Sequence, residues 1–296
     1  MRICVIFNPA ARGEKAKQFR DQLAALSTHV TLKPTYAAGT GRPLAAAAVR
    51  EGFDVIVAAG GDGTLNEVLN GIGDEPNGFA RARLGVLPLG TINVFARELR
   101  LPMKFESAWK IIERGRERLI DLPQAEFTQD GHSQRRYFAQ LGGAGLDSRA
   151  IELVNWEQKK TFGPVAYVVA GFKALAERKP RITVSAANAS AEGELVLIGN
   201  GRFYGGNFEL FPKADLHDGL LDITVFPTVN WETLLRSGWG WLTNQLHSAA
   251  GCLALQAGSF TLDSQTKAAL ELDGENVGRL PAKFSVQRQA LRVLVQ

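Results

Sequence analysis

The chain has 296 residues, of which 45% are apolar and 22% charged, and its formal net charge is +4. This length predicts about two domains, and the apolar fraction excludes a disordered or collagen-like chain. The two cysteines, Cys4 and Cys252, are too few for a disulfide framework or a zinc knuckle, so we expect a reducing cytoplasm. The net charge is too small to indicate a nucleic-acid partner.

The sequence does not contain the pattern of a transmembrane segment. Its longest uncharged stretch, residues 237–262, includes several polar residues that a membrane-spanning helix would carry only at a cost: Asn244, Gln245, His247 and Gln256. The apolar run at the N-terminus is too short for a signal peptide. We therefore expect a soluble chain.

The first third of the sequence alternates short apolar runs with helical patterns. The predicted strands are residues 2–7, 30–35, 54–59 and 84–90, and the predicted helices are residues 15–27, 43–50, 64–72, 94–99 and 105–114. The run at 54–59 is apolar throughout, which is typical of a parallel strand buried on both faces. The repeated strand–helix order predicts a doubly wound α/β domain over residues 1–122, with residues 289–296 returning to it.

After residue 121 the pattern changes to short β-rich segments separated by Gly, Asn and Pro. These segments are residues 135–141, 181–186, 193–199, 220–226, 259–264, 283–287 and 290–295. They predict a mostly antiparallel β-sandwich over residues 123–288. Helical patterns at residues 164–177 and 231–247 interrupt it.

The strongest local signal is the run Gly60, Gly61, Asp62, Gly63 and Thr64 between a buried strand and a helix. Glycines allow a tight turn and close approach of a ligand, and Thr64 can cap a helix whose N-terminus favours phosphate. A glycine-rich turn that merely ends a strand is the simpler alternative. Asp62 favours a ligand site. A carboxylate repels a phosphate group unless a Mg²⁺ ion lies between the two or the carboxylate takes part in proton transfer. We expect its side chain to point at ligand rather than into the core.

Polar residues and glycines also follow the other predicted parallel strands. Asn8 follows the first strand, Thr35 ends the second, and Gly90, Thr91 and Asn93 follow the fourth. In open α/β sheets, ligands bind at the carboxyl ends of the strands. Each residue alone fits a simple turn, but together they predict a binding site at one edge of the sheet.

These motifs, with three later ones, resemble the diacylglycerol kinase catalytic-domain family of bacterial lipid kinases. The matching segments, in the family's order, are NPAARG (8–13), GGDGTLNE (60–67), LPLGTINVFAREL (87–99), GGAGLD (142–147), DLHDGLLD (215–222) and LDGE (272–275). The GGDGT motif is shared with NAD kinases and sphingosine kinases, whereas the later motifs are typical of the lipid branch. The resemblance implies an α/β nucleotide-binding domain followed by a β-sandwich, in agreement with the pattern of elements.

By this resemblance, ATP would bind at the strand ends, and Asp62 would bear on its phosphates and on the catalytic Mg²⁺. The predicted nucleotide-binding residues are Asn8, Thr35, Gly60, Gly61, Asp62, Gly63, Thr64, Leu65, Asn66 and Thr91. One position departs from the family's pattern. Many relatives carry an aspartate after the asparagine of the third motif, whereas Val94 follows Asn93 here, so the polar contacts of that aspartate are absent or replaced.

The LDGE segment holds the candidate general base. Read alone, Asp273-Gly274 is the commonest pair for a type I′ hairpin turn. The resemblance implies that Glu275 removes the proton from the lipid hydroxyl, which is the acid–base role that phosphoryl transfer requires. Asp273 is the alternative, because two positions apart on a strand would place both carboxylates on one face.

Asp215 and Asp218 lie three residues apart in a predicted turn before the strand at 220–226. Two carboxylates with backbone carbonyls suit a hard cation, although the spacing alone fits a solvated Asp-Gly turn better. The resemblance implies a structural Mg²⁺ ion bound by Asp215, Asp218 and the carbonyl of Leu220, with His217 as a bystander.

The helical pattern at residues 231–247 carries Trp231, Trp239 and Trp241. Packing against the sandwich is the default interpretation, and contact with a bilayer surface is the alternative. The resemblance implies that the lipid substrate is met at a membrane surface, so we expect a cytoplasmic protein in peripheral contact with the inner face. The sequence carries no signal for an oligomeric state.

The predicted function is an ATP- and Mg²⁺-dependent lipid kinase that transfers the γ-phosphate to a hydroxyl of a diacylglycerol-like lipid. One alternative is an NAD kinase-like enzyme with a soluble substrate, against which the segments at 87–99 and 215–222 argue. The other is a catalytically silent nucleotide- or lipid-sensing module, against which the presence of both Asp62 and Glu275 argues.

Overall fold

The computed structural model of the chain describes residues 1–9, 21–22, 29–145, 179–206, 208–233, 236 and 251–296. Several predicted features lie outside these residues: most of the helix at 15–27, most of the NPAARG segment, the insertion at 164–177, Trp239, Trp241 and most of the helix at 231–247. Trp231 lies within them and is 53% exposed.

The N-terminal part alternates parallel strands and helices. Its described elements are β1 (Ile3–Phe7), β2 (Thr31–Pro34), α1 (Gly41–Arg50), β3 (Val55–Gly60), α2 (Asp62–Asp74), α3 (Gly78–Arg81), β4 (Arg83–Pro88), α4 (Val94–Glu98) and α5 (Phe105–Arg114). The strands pair in the order β4-β3-β1-β2, and all of these pairs are parallel.

Both faces of this sheet are covered, because side chains on a strand alternate between its faces. Cys4 and Ile6 of β1 belong to the core cluster that contains Val68 and Leu69 of α2. Val5 belongs instead to the cluster on the opposite face, with residues of α5. The predicted doubly wound α/β architecture is confirmed.

The remainder of the chain is rich in β-strands. These are β5 (Glu117–Gln129), β6 (His132–Tyr137), β7 (Leu141–Gly145), β8 (Ile182–Ala186), β9 (Ala189–Gly193), β10 (Leu195–Gly199), β11 (Phe203–Tyr204), β12 (Phe208–Glu209), β13 (Leu221–Phe226), β14 (Leu253–Ala257), β15 (Ser259–Ser264), β16 (Ala269–Leu272) and β17 (Glu275–Leu294). One layer pairs in the order β14-β13-β10-β7-β16-β17, and a second in the order β9-β8-β15-β17-β5-β6. The two layers enclose one apolar cluster, so the predicted sandwich is also confirmed.

The 20-residue strand β17 joins the two parts of the molecule. Its first residues pair with β16 and its middle pairs with β15, and Val293 then pairs in parallel with Leu84 of β4. The sequence pattern predicts two strands here, at 283–287 and 290–295, where the structure has one. Strand β5 pairs along most of β17 and runs without a break through residues 122–123, where we predict the domain boundary.

The sequence pattern predicts a single strand at residues 135–141, where the structure has two. Strand β6 ends at Tyr137 and β7 begins at Leu141. The backbone N–H groups of Ala139 and Gln140 in this link donate to the Asp273 carboxylate instead of to a neighbouring strand. A side chain 133–134 residues away in the chain therefore ends the strand.

Candidate active site

The carboxyl ends of the four parallel strands meet at one edge, as the sequence predicts. Phe7 is in register with Pro34 and with Ala59, and Gly60 is in register with Pro88. The residues that follow these positions therefore lie side by side: Asn8, Thr35, Gly61, Gly90 and Thr91. Thr35 is buried and its backbone N–H donates to the Phe7 carbonyl at 2.8 Å, whereas Asn8 and Thr91 are exposed.

The glycines at this edge allow two loops to pack backbone against backbone. A β-carbon on Gly90 would lie 2.5 Å from the Cα atom of Gly61, and one on Gly60 would lie 2.4 Å from Thr64 Oγ1. Helix α2 begins at Asp62 with Gly61 as its N-cap, so the expectation that Thr64 caps it is wrong. The first amides of such a helix point outward along its axis, in the arrangement that favours a phosphate group.

Asp62 is the first residue of α2, and its side chain contacts the start of α4. Its carboxylate accepts backbone hydrogen bonds from Val94, Phe95 and Asn93. Burial raises the pKa of Asp62, the Val94 amide opposes that rise, and the nearby Asp273 adds to it. The half-buried side chain is thus held at the N-terminus of α4, and the expectation that it points at ligand rather than into the core stays a prediction.

The loop before α4 is ordered although Val94 replaces the family's usual aspartate. Asn93 has a left-handed φ of 53°, and its Oδ1 accepts from the Gly90 amide at 3.0 Å while its Nδ2 donates to the Gly90 carbonyl at 2.7 Å. The Val94 side chain is buried, and its amide donates to Asp62. Bonds from the side chains of Asn93 and Asp62 to main-chain groups therefore fix the loop geometry.

Asp273 lies in the hairpin between β16 and β17, where Asp273 and Gly274 have φ values of 49° and 83°. Both carboxylate oxygens point inward. Oδ1 accepts from the amides of Gln140 and Leu141 at 3.0 Å each, and Oδ2 accepts from the Ala139 amide at 2.8 Å and from Asn66 Nδ2 at 3.1 Å. Burial raises the pKa of Asp273, and these hydrogen bonds oppose the rise. Asp273 therefore positions the hairpin against α2.

Glu275, the first residue of β17, is exposed and its carboxylate approaches α2. Its Oε1 would lie 3.3 Å from a β-carbon on Gly63, in the first turn of that helix. The expectation that Asp273 and Glu275 share one face of a strand is wrong, because Asp273 occupies the turn and Glu275 pairs with Leu272. Both carboxylates lie near the GGDGT loop, but that of Asp273 is bound by backbone amides and Asn66, whereas that of Glu275 is exposed beside the first turn of α2.

Asn66, one of the predicted nucleotide-binding residues, is buried and connects the two parts of the molecule. Besides its bond to Asp273, its backbone carbonyl accepts from Asn70 Nδ2 at 3.0 Å. Asn70 in turn accepts from the Tyr137 amide and donates to the Tyr137 carbonyl, each at 2.9 Å. These bonds fix α2 against the sandwich and so set the distance between the GGDGT loop and Glu275.

Two residues at this edge are not among the sequence predictions. Glu67 accepts from the Gly39 and Gly41 amides at 2.7 and 2.6 Å, so it caps the start of α1. Arg136 lies near Glu275. Burial and the charge of Arg42 lower the pKa of Arg136, and the charge of Glu275 opposes that decrease. The sequence offers no signal for Arg136, because its proximity to Glu275 arises only from the sandwich topology.

The carboxylate of Glu98, the last residue of α4, joins this helix to the sandwich. The Glu98 side chain is 5% exposed and accepts from the Arg202 amide at 2.7 Å, the Arg202 Nε at 3.1 Å and the Phe203 amide at 3.2 Å. It also accepts from Gln140 Nε2 at 3.0 Å. Helix α4 is therefore fixed at its start by Asp62 and at its end by Glu98.

The Asp215–Asp218 turn is held by a third carboxylate, for which the sequence carries no motif. Buried Asp121 accepts from the Gly219 amide at 2.6 Å and from the Gln289 amide at 2.7 Å. Asp218 accepts from the Leu220 amide at 2.8 Å; burial raises the pKa of Asp218, that amide opposes the rise, and Asp215 adds to it. Among the described residues, no group of three or more His, Cys, Asp or Glu side chains has the arrangement of a metal site.

Comparison with known proteins extends these observations. Residues 2–125 match the family described as "Diacylglycerol kinase catalytic domain", and residues 142–295 match the "YegS C-terminal NAD kinase beta sandwich-like domain". A "Diacylglycerol kinase" of Staphylococcus saprophyticus is 32% identical and aligns over 98% of this chain and 93% of its own length. Another "Diacylglycerol kinase", from Staphylococcus aureus, is 31% identical and aligns over 95% of this chain and 88% of its own length.

Solved structures show the same fold. A chain from Bacillus anthracis superposes with a TM-score of 0.80 at 22% identity, covering 100% of this chain and 95% of its own. A second structure from that organism, titled a diacylglycerol kinase, superposes with a TM-score of 0.73 at 22% identity and covers 100% and 97% of the two chains.

The α/β domain with its GGDGT loop and the facing sandwich define a kinase of the lipid branch. The chain belongs to the diacylglycerol kinase catalytic-domain family and is a lipid kinase. In the part of the chain that the structure describes, none of the helices has the length and apolar character needed to span a bilayer.

Proposed function

We propose that this lipid kinase uses ATP and Mg²⁺ to phosphorylate a free hydroxyl of a diacylglycerol-like lipid. The observation that carries the proposal is the position of Glu275, whose Oε1 would lie 3.3 Å from a β-carbon on Gly63. A carboxylate from the sandwich thus lies beside a helix N-terminus from the α/β domain. Phosphoryl transfer needs this combination of a phosphate-binding surface and a nearby proton acceptor.

The α/β domain would bind the nucleotide along the strand ends. The amides at the start of α2 would bind phosphate oxygens, and Asn8, Thr35 and Thr91 would contact the rest of the nucleotide. Mg²⁺, when bound, neutralises charge on the transferring phosphoryl group. Asp62 would supply the carboxylate oxygens that this hard cation prefers, beside the N-terminus of α2, so the residues at the edge fit it.

Glu275 would accept the proton of the lipid hydroxyl as that oxygen attacks the γ-phosphate. Asp273 would not share this role, because its two oxygens already accept four hydrogen bonds. It would act by holding the hairpin, and therefore Glu275, in place.

The lipid would approach from the side of Thr91. Ile92, the next residue, is 46% exposed, and its Cγ2 would lie 3.7 Å from a β-carbon on Gly206 in the β11–β12 turn. Phe208 of that hairpin is 52% exposed. Apolar side chains beside the phosphate-binding loops suit a protein that meets its substrate at a membrane surface, in peripheral contact from the cytoplasm.

A second Mg²⁺ ion would be bound by Asp215, Asp218 and the carbonyl of Leu220 and would stabilise their turn. The position of Asp215 and Asp218 three residues apart in one turn supports this. Without nucleotide, Mg²⁺ should raise the melting temperature of the wild type, and Asp218→Ala should abolish that rise. An equal rise in both proteins would exclude this site.

The proposal is tested by incubating the chain with labelled ATP, Mg²⁺ and a panel of diacylglycerol, phosphatidylglycerol, sphingosine, ceramide and NAD. We expect label in a diacylglycerol-like lipid, and Glu275→Gln should lower kcat at least about 100-fold with ATP affinity almost unchanged. The control is Glu192→Gln, an exposed glutamate on β9.

Label in NAD alone would favour the NAD kinase-like alternative, and no transfer to any acceptor would favour a silent module. If Glu275→Gln weakens ATP binding but spares kcat, Glu275 is a nucleotide or metal contact and the role given to it here is wrong.

A further inference from the structure

A cavity of about 400 Å³ lies at the C-terminal end of α4, the end opposite to the one that contacts Asp62. Its lining includes Glu98 at the end of α4, Arg100 just after it, Arg118 from β5, Arg202, and the turn residues Asp215 and His217. We call it the arginine pocket. None of the residues that line this pocket is among those proposed to bind the nucleotide at the strand-end edge.

Three arginines and two carboxylates, those of Glu98 and Asp215, line the arginine pocket, so its side chains carry an excess of one positive charge. Glu98 is paired with Arg202, and Asp215 Oδ1 accepts from the His217 amide at 3.0 Å and lies 2.9 Å from His217 Nδ1. Arg100 and Arg118 are exposed, and neither guanidinium has a hydrogen bond or ion pair with any residue that the structure describes. Two positive charges from different elements therefore line the cavity without protein partners.

Arg100 is held in the pocket by an unusual backbone conformation. The Leu101 amide donates to the Ala96 carbonyl at 2.8 Å and the Arg100 amide to the Arg97 carbonyl at 2.9 Å, which is the pattern of a Schellman helix end. The residue at the centre of that motif is usually glycine, because its φ is positive, and Arg100 has a φ of 55°. An arginine at a position that favours glycine accords with a use for its side chain.

We propose that the arginine pocket binds a phosphate-bearing ligand through Arg100 and Arg118. Guanidinium groups match phosphate oxygens in charge and in the geometry of paired hydrogen bonds. The cavity is large enough for a phosphate with an attached group. The phosphate belongs either to a free phosphate compound or to the head group of an anionic lipid, and both present the same chemistry to the pocket.

The first experiment uses inorganic phosphate as the probe, with the full chain saturated with a non-hydrolysable ATP analogue so that the strand-end edge is occupied. Calorimetric titration should detect one saturable site, and sodium acetate at equal ionic strength should produce no such binding. The double variant R100Q/R118Q should weaken phosphate binding at least tenfold. Arg114→Gln is the matched control, because Arg114 is an exposed arginine of α5 outside the pocket.

The second experiment measures co-sedimentation with phosphatidylcholine vesicles that contain or lack phosphatidic acid, in the same nucleotide-saturated state. If a lipid head group is the ligand, R100Q/R118Q should lose the binding that depends on phosphatidic acid, and R114Q should keep it. If a free compound is the ligand, only the phosphate titration should change. Double-variant binding equal to that of R114Q in both experiments would overturn the proposal.

Arg100→Gly separates ligand binding from folding. Glycine relieves the left-handed conformation, so this variant should melt no lower than the wild type while its phosphate binding falls at least tenfold. Wild-type binding in R100G would show that Arg100 serves only the helix end and would also overturn the proposal.

Discussion

The chain contains two Asp-Gly hairpin turns of almost identical geometry whose aspartates differ in environment. Asp130 and Gly131 join β5 to β6 with φ values of 51° and 78°, close to those of Asp273 and Gly274. Asp130 is exposed, and its carboxylate accepts no hydrogen bond from the described residues. Asp-Gly is the favoured pair for such a turn at both positions, so the local sequence cannot distinguish them, because the donors to Asp273 come from distant segments of the chain.

We expect Asp273→Ala to lower the free energy of unfolding by about 3 kcal/mol or more, because four donors lose their acceptor and each buried unsatisfied donor costs about 1–3 kcal/mol. Asp130→Ala should cost only about 1–2 kcal/mol, the strain of placing alanine at a positive φ. Urea denaturation of both variants measures the difference. Equal losses would mean that the Asp273 hydrogen bonds contribute nothing beyond the turn.

Asp62→Asn should retain the fold and lose most of the turnover. Loss of a charge that acts on the transferring phosphate commonly costs about 100-fold in kcat. An asparagine Oδ1 can still accept from the amides that start α4. Near-normal kcat in this variant would show that Asp62 serves only to hold α4.

The raised pKa of Asp62 also predicts how the stability of the folded protein changes with pH. A folded-state pKa above the unfolded value favours the protonated form, so this stabilisation is present below the unfolded pKa and is lost as the pH rises through the folded pKa. The amide that replaces this carboxyl group in Asp62→Asn cannot ionise. The melting temperature of the variant should therefore be no lower than that of the wild type at neutral pH, and its relative advantage should shrink on acidification.

At the level of elements, sequence patterns predicted those strands that form continuous apolar runs. Strands β1, β3 and β4 are buried on both faces and are recognisable from the sequence alone. Of strand β7 only the first residue, Leu141, lies in a predicted strand, because three of its five residues are glycines. Close packing explains them: a β-carbon on Gly145 would lie 2.3 Å from the Glu194 carbonyl oxygen.

Helix α2 offers a test of how closely the two halves of the candidate site must approach. Gly63→Ala places a methyl group 3.3 Å from Glu275 Oε1 at a helical position where alanine is favoured. We expect unfolding free energy to stay equal or rise by up to about 1 kcal/mol, while kcat falls about tenfold because Glu275 is displaced.

Combining Gly63→Ala with Glu275→Gln provides the control. Both changes act through one carboxylate, so the double variant should have the kcat of Glu275→Gln alone. Multiplicative losses would mean that Gly63 affects turnover independently of Glu275.

At the scale of the whole molecule, the candidate site depends on contacts that no local pattern contains. The convergence of the strand ends was predictable, because parallel strands share one carboxyl edge. The bond between Asn66 and Asp273 was not, because it joins residues 207 positions apart. Strand β17 contributes to both cores, with Val293 in one apolar cluster and Phe284 in the other.

We expect this shared strand to make the two parts unfold together. Burial raises the pKa of Cys4 to about 12 and that of Cys252 to about 11, so neither thiol should react readily at pH 8 in the native protein. Labelling at increasing urea, with the two sites distinguished by mass spectrometry, should expose both over one concentration range. Labelling of Cys252 while Cys4 stays protected would contradict this expectation.

The position of β17 also has a consequence for biosynthesis. Strand β4 lies between β3 and β17, and Arg292 near the end of β17 donates to the Ala80 carbonyl across 212 residues of sequence. While the intervening chain is still being translated, β4 therefore presents an unpaired edge of buried, apolar residues, a feature that promotes aggregation. Nascent chains that stall before β17 should depend on chaperones far more than the finished protein does.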